Sequence, residues 1–244
     1  MSPQYWLVTG SNRGIGLAIV EQLAKRKDVV LFAGVRDTSN LGELHNIVAK
    51  NSNVSVVQLR LDVIEDAKDA ASEIAKVTDH LDVVIANAGI AYNWDRLEKV
   101  DPEVAREHFT VNTLGTLVLF QAVLPLLRQS KDKPKFVPIT TDLASMTKPA
   151  SLNVSAVGLS KVGINYLVRR IVVEHASEGI IAFPVNPGGV KTAIGAIAAP
   201  ALLGIEEFPM EPEESAAGIL AVIDEATEES NGRFYGYDGQ EIAW

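Results

Sequence analysis

Thr9-Gly10-Ser11-Asn12-Arg13-Gly14-Ile15-Gly16 is the stretch whose residue types and spacing most plainly serve chemistry. It follows a short apolar run and opens a helical-period segment. Gly10 permits a tight turn, Gly14 allows close backbone approach, and Gly16 lets a helix pack tightly on a sheet. The helix N-terminus then presents unpaired N–H groups and a positive dipole end to an anion such as a pyrophosphate. Arg36 stands 20 residues beyond Gly16, just past the second apolar run. An acidic residue there bonds a ribose 2′-hydroxyl, whereas arginine suits a 2′-phosphate. Arg13 adds a second positive charge, and the neighbouring Asp37 leaves the alternative partner open. These residues together point to a dinucleotide, with NADP(H) favoured over NAD(H). His45, His80, His108 and His175 have no metal-ligand spacing. They read as surface or helix-end residues, and no metal site is expected.

The elements that must position this loop alternate regularly. Strands are expected at 5–8, 29–34, 54–59, 81–86, 135–139 and 180–185. Helices are expected at 14–27, 41–50, 67–77, 102–128 and 156–175. Such alternation implies parallel βαβ units with right-handed crossovers: an α/β, three-layer Rossmann fold, doubly wound, with helices on both faces of the sheet. Its ligand crevice lies beyond the carboxyl ends of the strands. One domain over 1–244 is expected, with the small-residue, proline-rich segment 193–212 as a substrate lid. The 244 residues carry 47% hydrophobic and 22% charged side chains, so the chain can build a sizeable core. Its net charge of −9 argues against nucleic acid and anionic membrane surfaces as partners. Cysteine is absent, which excludes disulfides and thiolate metal sites. No signal peptide is read in 1–10, no apolar run reaches membrane-spanning length, and a cytoplasmic setting is expected.

The TGxxxGxG spacing resembles that of the short-chain dehydrogenase/reductase superfamily, and further stretches resemble it in the same order. Asp62-Val63 matches the adenine contact. Asn87-Ala88-Gly89 matches the stretch that steadies the sheet and backs the cofactor. Asn112 matches the active-site asparagine, and Ser160-Lys161 the end of the YxxSK motif. Asn186-Pro187-Gly188, with Gly189, Val190 and Thr192, matches the loop holding the nicotinamide carboxamide. The tail from Gly232 to Trp244 looks like the small carbonyl-reductase and fungal ketoreductase branch. The resemblance implies an NADPH-dependent oxidoreductase of a small molecule. It also implies a lysine, Lys161, that holds the nicotinamide ribose, and helices 102–128 and 156–175 that pair with their copies in a homodimer.

One departure stands out. Four residues before Lys161, where the family has its proton-donating tyrosine, this chain has Val157, which cannot donate a proton. Thr141 aligns with the family serine and keeps a hydroxyl. Its neighbour Asp142 is either a turn residue or a counter-charge for a cationic substrate. Tyr92, beside the crevice mouth, reads as a substrate contact or as packing. Hydride addition to a ketone leaves an alkoxide that needs an acid, whereas addition to an iminium leaves a neutral amine. The chain therefore fits a C=N substrate better than a C=O one, with or without a coupled cyclisation. It also resembles, more weakly, fungal alkaloid-pathway members of the superfamily that reduce iminium intermediates. A carbonyl reductase with its tyrosine replaced, and a non-catalytic NADPH-binding sensor, are the competing readings.

Overall fold

A computed structural model describes residues 2–244. The first half alternates β1 (Gln4–Thr9), α1 (Gly14–Ala24), β2 (Val29–Val35), α2 (Leu44–Lys50), β3 (Val54–Gln58), α3 (Ile64–Ala75) and β4 (Val83–Ala86). Then come α4 (Pro102–His108), α5 (Gly115–Leu127), β5 (Lys135–Pro138), α6 (Ser155–His175), β6 (Ile181–Ala182) and β7 (Val185–Asn186). The chain closes with α7 (Ala193–Leu203), α8 (Pro212–Glu225) and β8 (Tyr235–Gly236). Six strands pair in parallel in the order β3-β2-β1-β4-β5-β6. The order reverses between β1 and β4, and the ends of these two strands open the crevice. This is the doubly wound Rossmann arrangement expected from the alternation.

Both faces of the sheet are covered, which explains why its strands are nearly uninterrupted apolar runs. Along β1 successive side chains take opposite faces. Trp6 and Val8 pack with Ile19, Leu23, Ile219 and Ile223, while Leu7 packs with Phe32, Leu119, Phe120 and Phe136. The first of these clusters depends on α8, a helix not anticipated above. Its signals were present: Pro212 at the first helical position, Glu213 and Glu214 in the first turn, and buried Ala216, Ile219, Leu220 and Ile223 at helical spacing. Segment 193–212 thus contains one helix and ends where another begins.

Two further elements differ from expectation. The sixth strand is interrupted at Pro184, which lacks an N–H for the ladder but whose carbonyl accepts from Tyr235 N at 3.1 Å. β7 pairs with β8 instead, and Ile139 bridges to Val185. The 102–128 helix is continuous but passes through a π-helical segment at Phe109–Leu114. Contrary to the reading that nothing reaches spanning length, Pro102–Leu127 is long and apolar enough to cross a membrane. Its apolar character is accounted for by packing on the sheet, where Leu119, Phe120, Val123 and Leu127 are buried.

Candidate active site

The glycine loop leaves β1 with Gly10 at φ 68° and Gly14 at φ 55°, the left-handed region that glycine enters without strain. Gly16 is needed for a different reason: a Cβ there would lie 2.1 Å from the Gly10 carbonyl oxygen and 2.5 Å from Asn87 Nδ2. Asn87 and Ala88 tie the loop to β4. Their backbone N–H groups donate to Thr9 Oγ1 at 3.0 and 2.9 Å, and Asn87 Nδ2 donates to the Thr9 carbonyl at 2.9 Å. Arg13 is the N-cap of α1, and no side chain caps that helix end. Asn12 turns aside, its Nδ2 donating to Asn40 O at 3.2 Å. The result is a narrow cradle of open backbone donors, and it fits a dinucleotide diphosphate.

At the end of β2, Arg36 is exposed and makes no hydrogen bond or ion pair with the described residues. Its neighbour Asp37 bonds locally: Oδ1 accepts from Ser39 N at 2.9 Å and Ser39 Oγ at 2.6 Å. Those bonds, with the nearby Arg36 charge, hold its carboxyl below the usual range. Asp62 is exposed and Val63 caps α3, both at the carboxyl-end side of β3.

Beside the cradle, under α7, lies a pocket of about 360 Å³. Lys161 and Val157 from α6 line it, with Thr141 and Asp142 from the turn after β5, Asn186 at the end of β7, and Pro187–Val190 with Thr192 from the loop that follows. Lys161 is half-buried, and its Nζ donates to Ile139 O at 2.8 Å. Burial brings its pKa down to about 8. Val157, 3% exposed, stands one helical turn before Lys161 on the same face. Asp142 is exposed at the rim, and its Oδ1 accepts from Thr141 Oγ1 at 3.3 Å.

Residues 4–200 match the short chain dehydrogenase family. The chain is a member of the short-chain dehydrogenase family. It is 33% identical over 243 residues to an uncharacterized oxidoreductase of Schizosaccharomyces pombe, covering 96% of this chain and 95% of that protein. It is 35% identical to the norsolorinic acid ketoreductase of Aspergillus parasiticus, covering 98% and 90%. The NADPH-bound carbonyl reductase from chicken fatty liver superposes with a TM-score of 0.89 at 28% identity, covering all of both chains. The protein is thus an oxidoreductase of the short-chain dehydrogenase type.

Not every residue anticipated for the site of this short-chain dehydrogenase meets the pocket. Asn112 sits in the π-helical segment, fully buried, and does not line it. Its Oδ1 accepts from Ile90 N at 2.8 Å, while its Nδ2 donates to Ile90 O and Ser160 Oγ, each at 2.9 Å. The carboxamide is a clamp between α6 and the loop after β4. Tyr92 is also outside the lining. Its hydroxyl donates to the Glu107 carboxylate, which raises the phenol pKa. His108 is not a surface residue as expected but is fully buried: Nδ1 donates to Val104 O at 2.8 Å, and Nε2 accepts from Tyr92 N at 3.2 Å.

Gly188 takes φ 79°, and a Cβ on Gly189 would strike the Phe208 ring at 2.6 Å. Ile194, Ala198, Leu202, Leu203 and Phe208, from segment 193–212, also line the pocket. Thr192 caps α7 through Gly195 N at 3.0 Å, while Val190 bridges to Met210. Trp94 and Leu152 also line the pocket, and the sequence reading missed both. Neither belongs to a motif; a lone aromatic in a loop carries no periodic signal.

Proposed function

We propose that this protein uses NADPH to reduce a small cationic C=N substrate in the pocket beneath α7, as one domain with segment 193–212 as its lid. The observation that carries the reading is Val157 in the pocket wall one turn before Lys161, with no tyrosine among the described lining residues. Bound there, a reduced nicotinamide supplies hydride to an electrophilic carbon. The chain's own residues supply the rest. The Gly10–Gly16 loop and Arg13 hold the diphosphate, and Arg36, exposed and without a bond to the described residues, the 2′-phosphate. Asp62 and Val63 flank the adenine, Asn87–Gly89 back the ring, Lys161 holds the ribose, and Pro187–Thr192 orient the carboxamide. The NADPH carried by the chicken relative supports the choice of nucleotide.

An iminium carbon that accepts hydride leaves a neutral amine, so the absent phenol costs nothing. Asp142 at the rim is the counter-charge for the cation. At ~4 Å and an effective dielectric of ~20 such a pair gains about 4 kcal/mol before desolvation. Thr141 positions the reacting group through its hydroxyl. The test is turnover of 3,4-dihydroisoquinolinium and 1-tetralone by the parent and Asp142→Asn proteins. Iminium turnover is expected to exceed ketone turnover and to fall on Asp142→Asn through a higher KM. Ketone turnover matching the iminium rate refutes the reading.

A second reading is ketone reduction with Lys161 as the direct acid. Two observations favour it: the norsolorinic acid ketoreductase relatives, and an ammonium in the pocket whose pKa burial has brought to about 8. Its signature is ketone turnover that falls as pH rises through 8.

A further inference from the structure

Segment 193–212 gives the pocket shape rather than polarity. Its described lining residues are Ile194, Gly195, Ala198, Leu202, Leu203 and Phe208, and none carries a polar side chain. Polar side chains of the lining, among them Thr141, Asp142, Lys161 and Asn186, come from the turn after β5, from α6 and from β7. Phe208 is the one ring that the segment contributes, half-buried at the border of the pocket. It stands in a stretch strapped to the loop after β7. Val190 bridges to Met210, and Lys191 N donates to Met210 O at 2.8 Å. The Lys191 ammonium lies 3.1 Å from the Glu207 carboxylate and 2.7 Å from that of Glu211.

Glycine makes the seat for this ring. A Cβ on Gly189 would have Phe208 Cδ1, Cε1 and Cγ as its three nearest neighbours, at 2.6, 2.9 and 3.0 Å. Gly189 is outside the left-handed region, so φ itself does not call for glycine there; the space taken by the ring does. From α7, a Cβ on Gly195 would lie 3.3 Å from Phe208 Cδ2. The ring therefore rests directly on the loop after β7, with its position set by that loop, by α7 and by the straps on either side of it.

We infer that Phe208 is a specificity-determining residue whose ring limits what the reacting carbon of the substrate can carry. The inference rests on the reading that this pocket holds a cationic C=N substrate against a nicotinamide kept by Pro187–Thr192. On that reading the reacting carbon lies beside the loop of Gly189, and a bulky substituent on it meets the ring. A close-packed wall of this kind yields only at a cost. The substrate class is then a compact cyclic iminium with hydrogen at the reacting carbon. Gly189 is a positioning residue that acts through the ring.

The experiment uses the whole protein saturated with oxidised NADP, so that no reduction occurs. Calorimetry compares 3,4-dihydroisoquinolinium with its 1-phenyl derivative, which differs only at the reacting carbon. The parent should prefer the unsubstituted cation by about tenfold or more, the scale of steric discrimination in an apolar pocket. Phe208→Ala should bind the 1-phenyl cation about tenfold more tightly than the parent does, while the unsubstituted cation gains nothing. Phe208→Leu should give a smaller gain in the same direction, and it carries the comparison if Phe208→Ala does not fold. The seat is tested by a double-mutant cycle. Gly189→Ala should lower the melting temperature by roughly 3–9 °C in the parent and hardly at all in the Phe208→Ala background, where the ring it strikes is gone. Equal affinity of the parent for both cations, or no gain for the 1-phenyl cation in the Phe208 variants, overturns the role of Phe208 and leaves the pocket reading standing. Equal melting shifts in both backgrounds overturn the role of Gly189. If neither cation binds the parent or any variant, the reading of a cationic substrate falls and Phe208 with it.

Discussion

Replacing Val157 with tyrosine tests the chemistry of the pocket most directly. The side chain at 157 projects from the same face of α6 as Lys161 and already borders the cavity, so a phenol there enters space rather than the sheet core. A hydroxyl ~5 Å from the Lys161 ammonium, at an effective dielectric of ~20, gains about 3 kcal/mol in its ionised form, which is more than two pKa units. That brings a phenol from about 10 to about 8, close to Lys161 itself, and the two then titrate as a coupled pair. A general acid tuned this way is worth about 10²–10⁴ in rate. Val157→Tyr should therefore raise kcat/KM for 1-tetralone by that factor and leave iminium turnover nearly unchanged. The assay is NADPH consumption with both substrates between pH 6 and pH 9, on protein whose melting temperature matches the parent's. The gain should fade above pH 8, as the phenol loses its proton and Lys161 its charge. If the parent reduces the ketone as fast as the variant, another group already donates the proton and the reasoning fails.

Three further outcomes are expected. Arg36→Ala should remove most of the preference for NADPH over NADH in fluorescence titrations, because no other described side chain at the end of β2 offers a free positive charge; equal affinities in the parent would contradict this. Gly16→Ala should weaken cofactor binding and cost about 1–3 kcal/mol through the 2.1 Å clash with Gly10 O, seen as a melting temperature lower by roughly 3–9 °C. Lys161→Met should stabilise the protein at pH 7. With its folded pKa lowered from 10.5 to about 8, the lysine is a buried charge below pH 8, and the unfolded chain binds more protons between pH 8 and 10.5. Stability should thus rise with pH across that window in the parent and not in the variant. The gain at pH 7 should be about 1–3 kcal/mol after loss of the Ile139 hydrogen bond, and an unchanged denaturation midpoint would refute it.

The sequence by itself determined the architecture and the cradle, because both are written in short-range terms. Alternating runs report which residues share a face of a strand or helix, and βαβ order leaves few ways to wind a sheet. Gly10, Gly14 and Gly16 are legible for the same reason: their requirement is local backbone geometry at the first strand–helix turn. Where two local signals conflicted or were faint, the reading failed. Pro184 broke a strand that apolar content had made continuous, and α8 went unread although its proline and acidic first turn were in view.

The tertiary structure alone decided what each polar side chain does. Asn112 could have faced substrate, but its carboxamide bonds Ile90 and Ser160, and Ser160 lies 48 residues away in the chain. Tyr92 stood at the right place in sequence, yet Glu107 draws its hydroxyl away from the pocket. Asp37 was ambiguous beside Arg36, and only the structure shows that its Oδ1 accepts from Ser39 while Arg36 makes no bond to the described residues. Trp94 had no signal, since a lone aromatic in a loop joins a pocket wall only through neighbours that the fold places. Periodicity records which face of an element is apolar. It carries nothing about which donor meets which acceptor across elements, because that depends on distances of a few ångströms between residues whose separation in sequence is unrelated to them.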